Sequence, residues 1–351
     1  MSRAGWRDRP LDDLLEAHGL TDARERRLLT DGWSGASFTT IDRDDGARFV
    51  VKRTSLDQDW IARATADEEL REAWFAEAAV DHPGFATGSL PYLAAAADGP
   101  GAAILMPDLT AELIAWDRPG AASVVDEATL DVVLGALTRL HASPWADALH
   151  DAPWTPVGPR LRLLTPRAAA GYAAAGNPVG DRFLQGWTAF RFEAPRAAMH
   201  LVERLDDDPA PLLAALAALP ARGLHGDLKL ANVAVDADDA VQLIDWQMAM
   251  RAPVAVELGW LLVSNSGSLA LGPSDVLDRY RGAMAAASGG NDALGDWDAQ
   301  VDLTWIVGLL LRGWRKGLDA EDELTLPSGM TAAADLAFWC EAALEAADRR
   351  L

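Results

Sequence analysis

Leu224-His225-Gly226-Asp227-Leu228-Lys229-Leu230-Ala231-Asn232-Val233-Ala234-Val235, followed after a polar turn by Val241-Gln242-Leu243-Ile244-Asp245-Trp246-Gln247, is the stretch whose reading decides the fold. Residues 233–235 and 241–244 read as two short strands, because β-branched and aliphatic side chains run together there. Residues 236–240 are polar and read as the turn between them. The midpoint of Asn232 and Asp245 falls between Asp238 and Asp239. A hairpin folded there brings Asn232 and Asp245 side by side at its open end. Asp227 precedes Asn232 by five residues and faces the same space. An amide oxygen and two carboxylates converging on one point are hard ligands of the kind Mg²⁺ shares with substrate phosphates. Turn preference accounts for Asp236, Asp238 and Asp239. It does not account for Asp227, which precedes Leu228, or for Asp245, which closes an apolar strand.

His-Gly-Asp, then four residues and Asn, then a hairpin and Ile-Asp-Trp, resembles the aminoglycoside phosphotransferase and choline kinase group of small-molecule kinases. Eukaryotic protein kinases carry His-Arg-Asp and Asp-Phe-Gly at the corresponding places. The resemblance implies an α+β, bilobal protein-kinase-like fold, with a small β-rich N-lobe and a larger α-rich C-lobe. It implies Asp227 as the catalytic base toward a substrate hydroxyl, Asn232 and Asp245 as the Mg²⁺ ligands, and Lys229 as a contact to the γ-phosphate. His225 is expected to be a structural hydrogen-bonding residue. Trp246 replaces the aromatic of the metal-loop signature and Gln247 departs from its glycine, and no long activation segment is evident. Both features speak against a protein kinase with an activation switch.

The same resemblance makes demands upstream. A kinase-like small lobe needs a lysine on its third strand to meet the α- and β-phosphates. Lysine occurs only as Lys52, Lys229 and Lys316, while arginine supplies the other 28 cations. Lys52 closes the run Phe49-Val50-Val51-Lys52, which pairs across Asp44-Asp45-Gly46 with the run before it as a hairpin. The partner glutamate comes from a helix expected over about 60–80, with Glu72 the best match and Glu69 the runner-up. Gly32 and Gly35 fit the phosphate-covering loop, where Ser34 and Ser37 could add hydrogen bonds. Residues 104–109 resemble the hinge between lobes, where Met106 and Asp108 would read the adenine edge through main-chain atoms. The lobe boundary falls there, giving an N-lobe over 1–106 and a C-lobe over 107–351.

Beyond the hinge, Leu130, Val133, Leu134, Leu137, Leu140 and His141 recur at helical spacing. Four prolines make 153–166 read as irregular, with helical patterns resuming from about 182. The run Val256-Glu257-Leu258-Gly259-Trp260-Leu261 looks like the helix packed under the metal loop.

Composition bounds the rest. A formal charge of −22 excludes a basic nucleic-acid footprint. There is no run of about 18 apolar residues, so no membrane span is expected. The start of the chain lacks the apolar core of a secretory signal, and the single cysteine, Cys340, excludes an internal disulfide. These features together point to the cytoplasm. The expected reaction is transfer of the γ-phosphoryl group of ATP (or GTP), with Mg²⁺, to a hydroxyl of an aminoglycoside, sugar or amino alcohol. The alternative is a catalytically silent nucleotide-binding regulator, against which Lys52, Asp227, Asn232 and Asp245 stand together. The acidic balance suggests an amine-bearing acceptor, held by carboxylates among Asp292, Asp296, Asp298, Asp319, Glu321, Asp322 and Glu323. The pocket is expected near residues 154–160, 264–268 and 305–314. Most of the 14 tryptophans are expected in the core.

Overall fold

Asp44-Asp45-Gly46 turns the chain as predicted: the Arg43 amide donates to Ala47 O and the Gly46 amide to Arg43 O, both at 2.9 Å. The computed structural model describes residues 5–21, 24–28, 34–81, 90–114 and 124–351. The turn joins β2 (Ser37–Asp42) to β3 (Arg48–Thr54). With β1 (Arg24–Leu28), β4 (Ala94–Asp98) and β5 (Gly101–Pro107) they form an antiparallel sheet in the order β1-β2-β3-β5-β4. Side chains alternate between the faces of a strand, and β3 uses that alternation to separate two cores. Val51 packs with Leu14 and Leu15 of α1 (Leu11–Ala17) and with Leu105. Val50 faces the main core with Ile104 and Met106. Lys52, two residues on from Val50, therefore leaves the strand on the main-core side.

The helix expected over 60–80 is two helices, α2 (Trp60–Ala64) and α3 (Arg71–Asp81). The break carries left-handed backbone at Ala66 and Leu70, with φ of 49° and 50°, although neither glycine nor proline marks it. Polar caps compensate for the interruption. The Asp59 carboxylate accepts from the amides of Ile61 and Ala62, and Asp67 accepts from that of Arg71 at 2.9 Å.

After β5 the chain becomes helical. The first helices are α4 (Glu127–Ala142), α5 (Trp145–Ala148), α6 (Val157–Arg162) and α7 (Pro166–Ala174). Next come α8 (Pro178–Glu193), α9 (Arg196–Asp207) and α10 (Ala210–Ala217). α6 corrects the irregular reading of 153–166: Pro153 and Pro156 lie before it, Pro159 in its first turn and Pro166 at the start of α7, where no intrahelical amide is needed. Two small antiparallel pairs follow, β6 (Arg222–Leu224) with β9 (Met250–Ala252), and β7 (Val233–Val235) with β8 (Val241–Leu243). The chain closes with α11 (Val254–Asn265), α12 (Pro273–Ser288), α13 (Trp297–Glu321) and α14 (Ala332–Arg350). α13 is the centre of the helical layer, packed on α8, α11 and α14. Lys316 is buried between α13 and α14, where its ammonium pairs with Asp335 and lies 3.0 Å from Ser266 Oγ. Trp305, Trp339, Trp145 and Trp246 are core, as expected.

This is the α+β, two-lobed arrangement that the resemblance implies. No helix among the described residues is long and apolar enough to cross a membrane.

Candidate active site

β6 ends at Leu224, and the next two residues are held by one buried carboxylate. Glu257 of α11 accepts from the amides of His225 at 3.0 Å and Gly226 at 2.6 Å, and lies 2.9 Å from His141 Nε2. Burial alone would raise its pKa, but His141, His225 and the Gly226 amide outweigh burial and hold it below the ordinary value. Gly226 has φ of +81°, and a Cβ there would lie 1.9 Å from Met248 O, so only glycine fits. The His225 ring is used on both sides. Its Nδ1 accepts from the Asp227 amide at 3.3 Å, which leaves Nε2–H to donate to Ile244 O at 2.9 Å. The loop before Asp227 is thus tied to the strand before Asp245.

The β7–β8 register pairs Val233 with Leu243, and the Ile244 amide continues it by donating to Asn232 O at 3.0 Å. Asn232 and Asp245 accordingly lie at the hairpin's open end, but Asn232 stands opposite Ile244, one residue from the partner that the sequence spacing predicts. Asn232 Nδ2 donates to Asp227 O at 2.9 Å and to its Oδ2 at 3.2 Å. Asp245 adopts left-handed backbone, with φ of 69°, which turns the chain sharply after β8.

Lys52 reaches this point from β3. Its Nζ lies 2.5 Å from Glu72 Oε2 and 2.6 Å from Asp245 Oδ1. Of the two glutamates considered for this lysine, Glu72 makes the contact, while Glu69 pairs with Arg7 at the surface. Burial would lower the lysine's pKa, but two carboxylates override it and drive the pKa up. At Asp245, burial is likewise outweighed by Lys52 and Lys229, and the carboxyl is held down. Tyr92 completes the cluster. Its hydroxyl donates to Glu72 Oε1 at 2.6 Å and accepts from the amides of Asp245 at 3.0 Å and Trp246 at 3.3 Å.

Lys229 Nζ lies 3.8 Å from Asp227 Oδ2. Gly35, at φ of +97°, passes so close to Gln58 O that a Cβ would sit 2.2 Å away, and Ser34 O accepts from the Trp60 amide at 3.1 Å. Gly32 lies outside the described residues. Met106 pairs with Val50 in the sheet. The Asp108 amide donates to Arg48 O at 3.0 Å, so that amide is already engaged. Arg71 ties α3 to the other lobe by donating to Gln247 O at 2.5 Å and to Pro153 O.

Of the acidic candidates, Asp296 caps α13 and lies 3.5 Å from Arg350, Asp319 pairs with Arg315 at 2.8 Å, and Asp298, Glu321, Asp322 and Glu323 are exposed. The side chain of Asp292 lies outside the described residues. Sequence reasoning missed Glu257 and Tyr92 as site residues. Glu257 was legible as an acid inside the apolar run 254–263. Nothing in the sequence marked Tyr92.

Choline kinase LicA from Streptococcus pneumoniae shares this fold at a TM-score of 0.52 and 9% identity, over 95% of this chain and 97% of its own. An aminoglycoside-3'-phosphotransferase of type VIII is similar at 20% identity over 87% of this chain and 98% of its own, with a TM-score of 0.45. Macrolide 2'-phosphotransferase type I is similar at 17% identity over 93% and 97%, also with a TM-score of 0.45. No curated protein matches the chain. The phosphotransferase enzyme family matches residues 25–299. That span takes in Lys52, Glu72, Tyr92, Asp227, Asn232, Asp245 and Glu257, so the elements that build this cleft are the matched ones, and the chain belongs to the phosphotransferase enzyme family.

Proposed function

We propose that the protein is an ATP-dependent O-phosphotransferase that moves the γ-phosphoryl group onto a hydroxyl of a small molecule. GTP is the other candidate donor. Aminoglycosides, sugars and amino alcohols are the acceptor classes within this reading. The observation that carries it is the junction of Lys52 with Glu72 and Asp245, at 2.5 and 2.6 Å, in the same cleft as Asp227 and Asn232.

In this reading residues 1–106 cover the nucleotide and residues 107–351 carry the acceptor and the catalytic loop. Glu72 holds the Lys52 ammonium where the α- and β-phosphates would lie. Gly35, Ser34, Met106 and Asp108 would face the nucleotide. Asp227 takes the acceptor's hydroxyl proton as the new O–P bond forms and the γ-phosphorus separates from its bridging oxygen, releasing ADP. Lys229, beside Asp227, meets the phosphoryl group in flight.

Oxygen donors for Mg²⁺ are present. Asp227 Oδ1, Asn232 Oδ1 and Asp245 Oδ2 accept no hydrogen bond from a described residue. Asn232 and Asp245 would hold the ion, which when bound offsets the charge of the triphosphate. The chain's own contribution is positioning and charge neutralisation, which is most of what phosphoryl transfer needs.

The test is ADP production and acceptor mass, with MgATP and a panel of hydroxyl compounds, for the intact chain and for Asp227→Ala. Turnover should fall by about 10² to 10⁴ in the variant, the range for general acid–base catalysis, with nucleotide affinity little changed. Near-normal turnover would remove Asp227 from its role.

A further inference from the structure

Two guanidiniums share one indole beside Asp227. Arg160 on α6 is only 1% exposed. Its Nε donates to Gly226 O at 3.1 Å, the carbonyl just before Asp227, and its guanidinium carbon lies 4.6 Å from the centre of the Trp260 ring. Arg312 on α13 stands over the same ring at 5.4 Å. Neither guanidinium is paired with a carboxylate among the described residues.

The neighbouring charges are already committed. Arg315 takes Asp319, Lys316 takes Asp335, and Glu257 is spent on His141 and two amides. Asp227 and Glu257 act on Arg160 through space, and Asp319 and Asp227 on Arg312, without contact. Burial pushes both arginines down, Arg312 to about 10 with help from Arg315. A buried cation without a contacting counter-ion is costly, so Arg160 is kept at the expense of stability, while Arg312 is only half-buried. More unpaired polarity lies close in sequence. Trp260 Nε1 and Ser264 Oγ, one turn apart on α11, are buried with no hydrogen-bond partner among the described residues. The frame is rigid: a Cβ on Gly259 would lie 2.8 Å from Thr304 O, and one on Gly308 3.0 Å from Gly259 O. α11 and α13 therefore meet backbone to backbone beside Trp260 and one turn before Arg312.

We propose that Arg160 and Arg312 form an anion-binding subsite for the acceptor, so that the molecule phosphorylated carries a carboxylate or a phosphate ester as well as its hydroxyl. The inference rests on the phosphotransferase reading and names its substrate class. A guanidinium offers its fork of N–H donors to two oxygens at once, and an aromatic face holds its plane. Arg160 spends Nε on Gly226 O and its terminal nitrogens make no hydrogen bond among the described residues, while Arg312 is the more exposed of the two guanidiniums. Of the described carboxylates expected to hold amines, Asp296 caps α13, Asp319 pairs with Arg315, and Asp298, Glu321, Asp322 and Glu323 are exposed. The overall charge of −22 repels anions at long range, which makes a local pair of arginines the exception to be explained.

The experiment compares matched acceptors with the full chain and MgATP: glycerol with glycerate and glycerol 3-phosphate, glucose with gluconate and glucose 6-phosphate, ethanolamine with serine, and kanamycin as a polycation. ADP release and acceptor mass are read. Anionic members should exceed their neutral or cationic partners in kcat/KM by at least about tenfold, the least that charge-assisted hydrogen bonds supply. The better of the carboxylate and phosphate-ester arms identifies the anion. Arg312→Gln should raise KM for the best anionic acceptor by a similar factor, and Arg312→Lys should restore part of it. MgADP affinity, measured in parallel, checks that each variant is folded. Arg160→Gln is a weaker test because it also frees Gly226 O. Turnover confined to neutral or amine-bearing acceptors overturns this inference and leaves the phosphotransferase reading standing, as does an unchanged KM in Arg312→Gln. Nucleotide binding that ignores Mg²⁺ counts against that reading instead. Calorimetric titration of glycerate and glycerol 3-phosphate into the MgADP-loaded protein repeats the comparison without turnover. Anions that bind no more tightly than glycerol overturn the subsite.

Discussion

Lys52 Nζ and Asp245 Oδ1, 193 residues apart in sequence, lie 2.6 Å apart in the cleft. The same ammonium lies 2.5 Å from Glu72, so one cation holds two carboxylates that would otherwise repel each other. The contact joins the third strand of the sheet to the loop after the β7–β8 hairpin, and thus one lobe to the other. It also fixes what the lysine does without a nucleotide: it neutralises Asp245.

Lys52→Met should therefore act on stability as well as on nucleotide binding. Removing one partner of a buried pair costs about 3–5 kcal/mol, and two acids lose their partner here. Urea unfolding should show the loss, and calorimetry should show weakened ATP binding. Lys229→Ala should behave differently. Its side chain is 31% exposed and 3.8 Å from Asp227, so stability should hold while turnover falls, because the contact proposed for it is to charge that redistributes in the transition state. A Lys229→Ala enzyme with intact kcat would make it a solvated loop residue.

Asp245 and Asn232 should make nucleotide binding depend on Mg²⁺. Calorimetric titration of ATP with and without the ion is the measurement, and Asp245→Ala should abolish the difference. Equal affinities in the unaltered protein would sink the two-ligand arrangement.

Much of this was readable in advance, and the physical reason is locality. The hairpin, the placing of Asn232 and Asp245 at its open end and the strand bearing Lys52 follow from turn residues and alternation within about 25 residues of chain. What was not readable depends on contacts between distant segments. The break between α2 and α3 uses left-handed Ala66 and Leu70, residues with no preference for that conformation, stabilised by tertiary packing and the Asp67 cap. α6 hides among prolines because they fall before it, in its first turn or at the start of α7. Arg160 acquires its meaning only when α6 meets Gly226 and Trp260.

Glu257 offers a pH-dependent test. Its folded pKa is held below the ordinary value of 4.5, so its ionised form stabilises the fold above that value. The contribution is lost as the pH falls below 4.5 toward the depressed folded pKa. Glu257→Gln replaces one acceptor oxygen by a donor facing the amides of His225 and Gly226, or His141. It should cost about 1–3 kcal/mol at neutral pH, lower kcat more than it changes ATP affinity, and flatten the acid limb of the stability profile. Parallel profiles for the two proteins between neutral and acid pH would show that Glu257 is not what holds the loop.

Tyr92 makes the last prediction, because its hydroxyl is the junction that no sequence pattern announced. Burial, and next the Glu72 charge, push its pKa well above 10, so it stays protonated and can donate to Glu72 while accepting from two amides. Tyr92→Phe keeps the ring and removes all three bonds. It leaves the Asp245 and Trp246 amides without their acceptor and Glu72 with one hydrogen bond fewer, at a cost of about 1–3 kcal/mol for the unsatisfied groups. The effect should be local, since the ring still fills its place in the core. Hydrogen exchange should accelerate at the amides of Asp245 and Trp246 more than at those of β3. ATP affinity should fall in the presence of Mg²⁺ and change little in its absence, because the disturbed amide belongs to Asp245, the residue proposed to hold the ion. Unchanged exchange at those two amides would mean that Lys52 alone holds Asp245 in place.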